Sequence, residues 1–281
     1  MIVVRSWIQR VAIVLLACHF QLLPGAARAE TLTMGGVGWS LGVMRHMADA
    51  YTRRHPDVTI VIPPSVGSNG GIRTLLAGKF DASFSSRGLT AEEQAQGAVA
   101  IPLFKTPFVL AVSTEVRGDV GLTKEEVVRA FDLAIPSWPD GTPLRILFRP
   151  ESEAANGALK QHFPGIATVL EEGRKRRGAI VLQTDQEAMT QGERVPGTIV
   201  PATLAGILGE GRALKPVAID GVAPTVPALE SGAYPMWMAM RVIVAPHTGE
   251  AARAFIEFSR SAEGRSILSR YGALPIDRLD E

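Results

Sequence analysis

Five small or turn-prone residues, Gly67, Ser68, Asn69, Gly70 and Gly71, stand directly before an apolar run of helical spacing, Ile72, Leu75 and Leu76. A turn in that position sits at a helix N-terminus. Its free backbone N–H groups point along the axis, and the helix dipole favours negative charge there. Glycine lets a ligand approach the backbone closely, and Ser68 adds a hydroxyl. A short strand-like stretch, Ala82 to Ser86, follows and ends on Ser85, Ser86 and Arg87. Hydroxyls and a guanidinium near a helix N-terminus suit an oxyanion. An ordinary loop before an ordinary strand explains the turn alone equally well, because Gly-rich turns are common.

The elements around that turn repeat its form. Strand patterns cover Thr31 to Met34, Val58 to Ile62, Phe108 to Val112, Leu144 to Phe148, Ile180 to Leu182, Gly197 to Val200 and Met236 to Val244. Helical patterns cover Val43 to Arg54, Thr123 to Phe131, Ser152 to Phe163, Asp185 to Thr190, Gly249 to Arg260 and Ala262 to Arg270. Thr123 and Glu126 have capping-box spacing. Strands alternating with helices predict an α/β architecture with a largely parallel sheet. In open α/β sheets, ligands sit at the carboxyl ends of strands. Three such ends carry polar or Gly-rich turns: Gly35 to Ser40, Gly67 to Gly71, and Arg149-Pro150-Glu151-Ser152.

Residues 1–29 read as a secretory leader, with Arg5 and Arg10 before the apolar run Val11 to Ala17 and a small-x-small site at Ala27-Arg28-Ala29. Cleavage there makes Glu30 the first mature residue. The run is short for a membrane span. Leu15-Leu16-Ala17-Cys18 also resembles a lipidation box, which leaves lipoprotein anchoring as the lesser alternative. Cys18 is the single cysteine, so the mature chain has no disulfide, thiol nucleophile or cysteine metal site. The leader's Arg5, Arg10 and Arg28 leave 26 basic against 28 acidic residues, a net charge near −2. With no dense basic stripe, nucleic acid is not an expected partner. The one basic run, Arg174 to Arg177, reads as a solvated helix end.

The turns and the C-terminus together resemble the phosphate-binding family of periplasmic substrate-binding proteins that serve ABC importers. Gly36-Val37-Gly38-Trp39-Ser40-Leu41 is similar to that family's first turn. Gly67-Ser68-Asn69-Gly70-Gly71-Ile72 differs from its second turn, G-S-G-G-G-I, at one position. Leu122-Thr123 through Phe131 to Trp138-Pro139-Asp140-Gly141 is similar to a later segment. Arg149 to Ala154 matches R-P-x-x-S-G-T in part. Phe255 to Phe258, Ala262 to Arg265 and Tyr271 to Pro275 are similar to the C-terminal pattern. The match spans nearly the whole mature chain.

The resemblance implies a two-lobed α/β clamp, each lobe a mostly parallel sheet flanked by helices, with two crossing strands as hinge. Its first lobe holds about 30–111 plus the return 236–281, and its second about 112–235. Crossing strands are expected near Phe108 to Ser113 and Met236 to Val244. Closure traps a small anion, and a membrane permease reads the closed form. The expected ligand contacts are Ser40, Ser68, Ser86, Arg87, Arg149 and Ser152, with backbone N–H groups of Leu41, Gly70 and Gly71. Arg87 and Arg149 are expected to supply charge-assisted bonds. A monomer without cofactor or metal is implied.

Two departures put strict phosphate selectivity in question. The family usually has an aspartate at the position of Arg87, to accept the proton of hydrogen phosphate and reject sulfate. Arginine has no acceptor. The family's Gly-Thr after Ser152 is replaced by Glu153-Ala154. Glu153 either favours the helix dipole or pairs with Arg87 or Arg149. The ligand is therefore phosphate, another oxyanion or a carboxylate-bearing metabolite. A periplasmic sensor uses the same clamp and stays open as an alternative. Gly38-Trp39-Ser40-Leu41-Gly42 matches the G-x-S-x-G elbow of exported hydrolases, with Asp220 and His247 in the required order. Too little mature chain precedes Ser40 for that fold. His46, His55, His162 and His247 lack metal-ligand spacing.

Overall fold

The computed structural model describes residues 30–279, and the segment 1–29 that reads as a leader lies outside them. Eleven strands are described. They are β1 (Glu30–Gly36), β2 (Val58–Val61), β3 (Ala82–Ser85), β4 (Val99–Ser113), β5 (Gly121–Leu122), β6 (Arg145–Ile146), β7 (Thr198–Thr203), β8 (Leu214–Pro216), β9 (Ala218–Ile219), β10 (Trp237–Val244) and β11 (Leu274–Pro275). The helices are α1 (Leu41–Arg54), α2 (Gly67–Leu76), α3 (Ala91–Ala95), α4 (Lys124–Phe131), α5 (Ala154–His162), α6 (Ile166–Lys175), α7 (Asp185–Arg194), α8 (Leu204–Gly209), α9 (Val226–Glu230), α10 (Glu250–Arg260) and α11 (Ala262–Arg270).

The main sheet has the order β2-β1-β3-β10-β4-β7-β6, with β8 and β11 also on β4. β1 is parallel to β2 and β3, and β6 is parallel to β7. The centre departs from the parallel expectation: β10 is antiparallel to β3 and β4, and β4 to β7. The chain leaves one half of the sheet along β4 and returns along β10, so the two run oppositely. β4 changes partner midway. Val99 to Pro107 pair with β10, while Phe108 to Ala111 pair with β7.

The apolar pattern shows only the second half of β4, because Pro102, Lys105, Thr106 and Pro107 interrupt the first. Proline lacks the ladder donor and is confined to edges and bulges. Here Pro102 lies at the register shift opposite Met240 and Arg241, and Pro107 at the change of partner. Thr106 braces that change. Its hydroxyl donates to the Gly272 carbonyl at 2.8 Å and accepts from the Ala205 N–H at 3.0 Å. The buried Tyr234 hydroxyl donates to the Phe108 carbonyl at 2.8 Å.

α1 begins two residues before its amphipathic pattern, and buries Leu41, Val43, Met44, Met47, Ala48 and Tyr51. The main core joins these to Phe84, Phe104, Phe108 and Met240, with Trp39 edge-on to Phe104 at 5.9 Å between ring centres. Thr90, Thr123 and Thr184 each close a full capping box, with Glu93, Glu126 and Glu187. The two halves of the sheet also meet through α1 and α8, where Gly42 and Gly209 bring the backbones together. A Cβ on Gly42 would lie 2.7 Å from the Gly209 carbonyl carbon. The His46 ring makes a 2.9 Å hydrogen bond to the Gly209 carbonyl.

Candidate anion-binding cleft

Three helix N-termini open onto one cleft of about 520 Å³. Its first wall comes from Val37 and Gly38, from Ser65 through Gly70 at the start of α2, and from Arg73, Ser86 and Arg87. Its second wall is Arg149, Ser152, Glu153 and Ala154 at the start of α5, and Gln183, Thr184 and Asp185 at the start of α7. Strand-turn-helix segments position the groups at α2 and α5, whereas the expected strand Ile180 to Leu182 before α7 is reduced to an isolated bridge between Val181 and Phe148.

The first wall is built around Ser68. Its hydroxyl oxygen accepts the Ser86 N–H at 3.0 Å and lies 3.1 Å from the Ser86 hydroxyl. The Gly36 carbonyl holds the approach to α2, accepting from the Val66 N–H at 3.2 Å and the Ser65 hydroxyl at 3.1 Å. Gly67 itself opens the helix, so the glycines form the first helical turn rather than a loop before it. The helical ladder therefore takes N–H groups from Gly70 onward, and the Gly67 N–H bonds the Ser65 hydroxyl. The free donors are those of Ser68 and Asn69. Gly70 still lines the cleft, but Gly71 does not. Gly71 packs onto the sheet, where a Cβ would meet the Ser83 hydroxyl at 2.4 Å and the Gly36 Cα at 2.8 Å.

Ser40 and Leu41 do not line this cleft either. The buried Ser40 hydroxyl donates to the Val37 carbonyl at 3.0 Å, and the Leu41 N–H bonds the Gly38 carbonyl. Nor does Ser40 meet the other members of a hydrolase triad. Asp220 accepts the Lys124 N–H, and His247 lies against the Phe80 carbonyl. Among the described residues, no group of three or more His, Cys, Asp or Glu could hold a metal ion.

Arg87 reaches the cleft, but most of its donors are occupied. Nη1 and Nη2 clasp the Glu93 carboxylate at 2.8 and 2.6 Å, Nη1 also donates to the Gly88 carbonyl, and Nε donates to Asn69 Oδ1 at 2.7 Å. Its partner is thus Glu93 and not Glu153. Four of five N–H groups are used, which leaves one on Nη2 for a ligand. Glu93 also accepts the Thr90 N–H, so one carboxylate caps α3 and holds Arg87. Arg73, one turn into α2, is exposed and lines the cleft, and its side chain makes no hydrogen bond or ion pair among the described residues.

Arg149 is almost wholly buried, at 2% exposure. Nη1 donates to Asp185 Oδ1 at 2.9 Å. Nη2 donates to Glu153 Oε2 at 2.9 Å and to the Gln183 carbonyl at 3.2 Å. Nε is buried without a partner. Its charge is thus met by two protein carboxylates: of the alternatives the sequence left open, Glu153 pairs with Arg149, and Asp185 is an addition. Ser152, by contrast, is exposed, and its hydroxyl makes no hydrogen bond among the described residues. Sequence reading missed Asp185 and Arg73. The signal for Asp185 was a fourth strand-turn-helix end, Ile180 to Asp185, with Thr184 and Glu187 at capping-box spacing.

The glutamates paired with Arg87 and Arg149 are shifted in opposite directions. The hydrogen bond from Arg87 holds Glu93 below the ordinary value of 4.5. Burial raises Glu153, Arg149 opposes that rise, and Asp185 adds to it. Linkage gives the signs. Glu93 contributes stability that is full above pH 4.5 and lost as pH falls through its depressed value. Glu153 adds a penalty that grows as pH rises from 4.5 through its raised value. Thermal unfolding of the wild type, Glu93→Gln and Glu153→Gln from pH 3 to 8 should separate them. The deficit of Glu93→Gln should shrink toward acid. The Glu153→Gln variant should lose a downward slope that the wild type shows above pH 4.5.

An α/β clamp with helix N-termini converging on an interior cleft is a solute-binding architecture, and the chain belongs to the PBP superfamily. Residues 24–263 match the family described as the PBP superfamily domain. The phosphate-binding protein PstS of Borreliella burgdorferi is 23% identical over 260 residues, covering 88% of this chain and 90% of that protein. Among solved structures, a candidate phosphate ABC transporter substrate-binding protein from Clostridium perfringens, with bound phosphate, has a TM-score of 0.72 at 19% identity. That match covers 88% of this chain and 100% of the other. An ABC-type phosphate transport receptor from Vibrio cholerae has a TM-score of 0.56 at 17% identity, covering 87% and 99%. The fold is therefore the two-lobed periplasmic-binding-protein clamp.

Proposed function

We propose that this chain is a periplasmic solute-binding protein of an ABC importer that takes phosphate or a related small oxyanion into the cleft. One observation carries the reading. The free N–H groups of Ser68 and Asn69, the hydroxyls of Ser68 and Ser86, and the unpaired Arg73 converge on one wall of a cleft between the lobes. Backbone donors at a helix N-terminus, with a hydroxyl and a guanidinium beside them, make an oxyanion site. Phosphate is the named ligand of the similar proteins.

In this reading residues 30–111 and 236–281 form the first lobe and 112–235 the second. The change of partner along β4 at Phe108 supports that division. The leader pattern in 1–29 supports export, and the protein acts as a monomer that presents its closed form to a membrane permease. Its role is binding, without a catalytic step.

Closure on a ligand stabilises the folded state by RT ln(1 + [L]/Kd), about 2.7 kcal/mol at 100 Kd. A thermal-shift series with phosphate, sulfate, molybdate and small carboxylates should raise the unfolding midpoint for at least one oxyanion. Ser68→Ala removes a hydroxyl that can turn to the ligand, and should weaken that oxyanion by about 1.5–3 kcal/mol, the range for a hydrogen bond to a charged group. Absence of any shift across the series would refute oxyanion binding.

A further inference from the structure

The two walls of the cleft carry opposite charge. On the first wall, Glu93 neutralises Arg87, while Arg73 is unpaired and the α2 N-terminus adds partial positive charge. On the second wall, Arg149 faces both Glu153 and Asp185, which leaves a net charge of about −1 at neutral pH by formal count. Each carboxylate gives Arg149 one oxygen. The other two, Glu153 Oε1 and Asp185 Oδ2, have no hydrogen-bond partner among the described residues, and neither is sealed from solvent. Arg149 leaves two hydrogens without a partner, one on Nε and one on Nη1, but its side chain is only 2% exposed and its charge is outweighed by the two carboxylates. The second wall is thus an acceptor surface, and a bare anion pressed against it by lobe closure would meet like charge.

The cleft also exceeds a tetrahedral oxyanion in size. At about 30 Å³ per water, 520 Å³ holds roughly seventeen waters, and a bare oxyanion displaces only a few. A ligand that satisfies both walls needs an anionic end for Ser68, Ser86 and Arg73, and a cationic donor end for Glu153 and Asp185. From this polarity we infer that the solute is a zwitterion, an oxyanion that carries an ammonium group on a short chain. The inference rests on the oxyanion reading of the first wall and adds the partner for the second.

The test compares three probes on the leader-free chain by calorimetric titration: inorganic phosphate, ethyl phosphate and phosphoethanolamine. The last two differ by one ammonium group. Phosphoethanolamine should bind at least tenfold tighter than ethyl phosphate and tighter than phosphate. The ratio between the two esters should collapse in Glu153→Gln. Asp185→Asn gives a second reading of the same ratio if the first variant folds poorly. Equal affinity for the two esters overturns the inference. So does tighter binding of phosphate, in which case the carboxylates accept the ligand's own O–H. Both of those outcomes leave the oxyanion reading standing. If none of the three probes binds, this inference falls, and the oxyanion reading is then decided by sulfate and molybdate in the thermal-shift series.

Discussion

Replacing Arg149 with methionine should destabilise the protein by about 3 kcal/mol, the lower end of the cost of removing one partner from a buried ion pair. The guanidinium is almost fully buried and is shared by Glu153, Asp185 and the Gln183 carbonyl. Methionine fills similar space but leaves two carboxylates facing each other without a counter-charge. Both keep some exposure to the cleft, at 31% and 16%, which sets the estimate at the lower end. Arg149 also ties the start of α5 to the start of α7, so the second wall should loosen as well. Equilibrium urea unfolding should show the loss as a lower midpoint with an unchanged slope. The deficit should shrink in acid, because protonation removes the repulsion that arginine had balanced. Adding Glu153→Gln and Asp185→Asn to the methionine variant should restore most of the stability. A loss below about 1 kcal/mol, the ceiling for exposed pairs, would mean that Arg149 is solvated and balanced by water.

What the sequence makes legible here is local. Strand-turn-helix ends can be read from turn residues and periodicity, and Ser68, Gly70, Ser86, Arg87, Arg149 and Ser152 all line one cleft. The helix at Ala262–Arg270 begins and ends where its pattern does. Pairing across distance is not legible in the same way. Glu93 serves Arg87 because a capping box bends the chain back over six residues. Asp185 meets Arg149 across thirty-six residues, through a neighbouring strand end that the turn signals had marked only weakly. The same limit explains Ser40 and Leu41. Their turn resembles an anion loop, yet a short 3-10 segment, Gly38–Ser40, consumes their donors internally. The first nine residues of β4 were hidden because two prolines break the pattern at a bulge and at a change of partner, both of which depend on β10 and β7.

Gly36→Ala should be the most damaging single methyl group near the cleft. A Cβ there would lie 2.0 Å from the Phe84 carbonyl oxygen, with φ at +155°. That oxygen accepts the Val37 N–H at 3.0 Å, and Gly36 is paired with Phe84 in the parallel ladder of β1 and β3. The clash is with backbone, so no side chain can turn aside. β1 must separate from β3, at a cost of about 3 kcal/mol, the upper end of the usual range for overpacking. Binding should suffer with stability, because the Gly36 carbonyl holds both Ser65 and Val66 at the entrance to α2. A shift of that carbonyl moves the Ser68 and Asn69 N–H groups away from the cleft. Gly78→Ala provides the contrast. Gly78 has φ of +70° and nothing within 4 Å of an added Cβ. Its cost should be only the left-handed backbone penalty, about 1–2 kcal/mol, with oxyanion affinity unchanged. Urea unfolding and calorimetric titration of both variants measure the two effects separately. Equal losses of stability with unaltered binding in Gly36→Ala would show that β1 and β3 can part without disturbing the α2 N-terminus. The oxyanion donors would then be held from the β3 side, through the bond between Ser86 and Ser68.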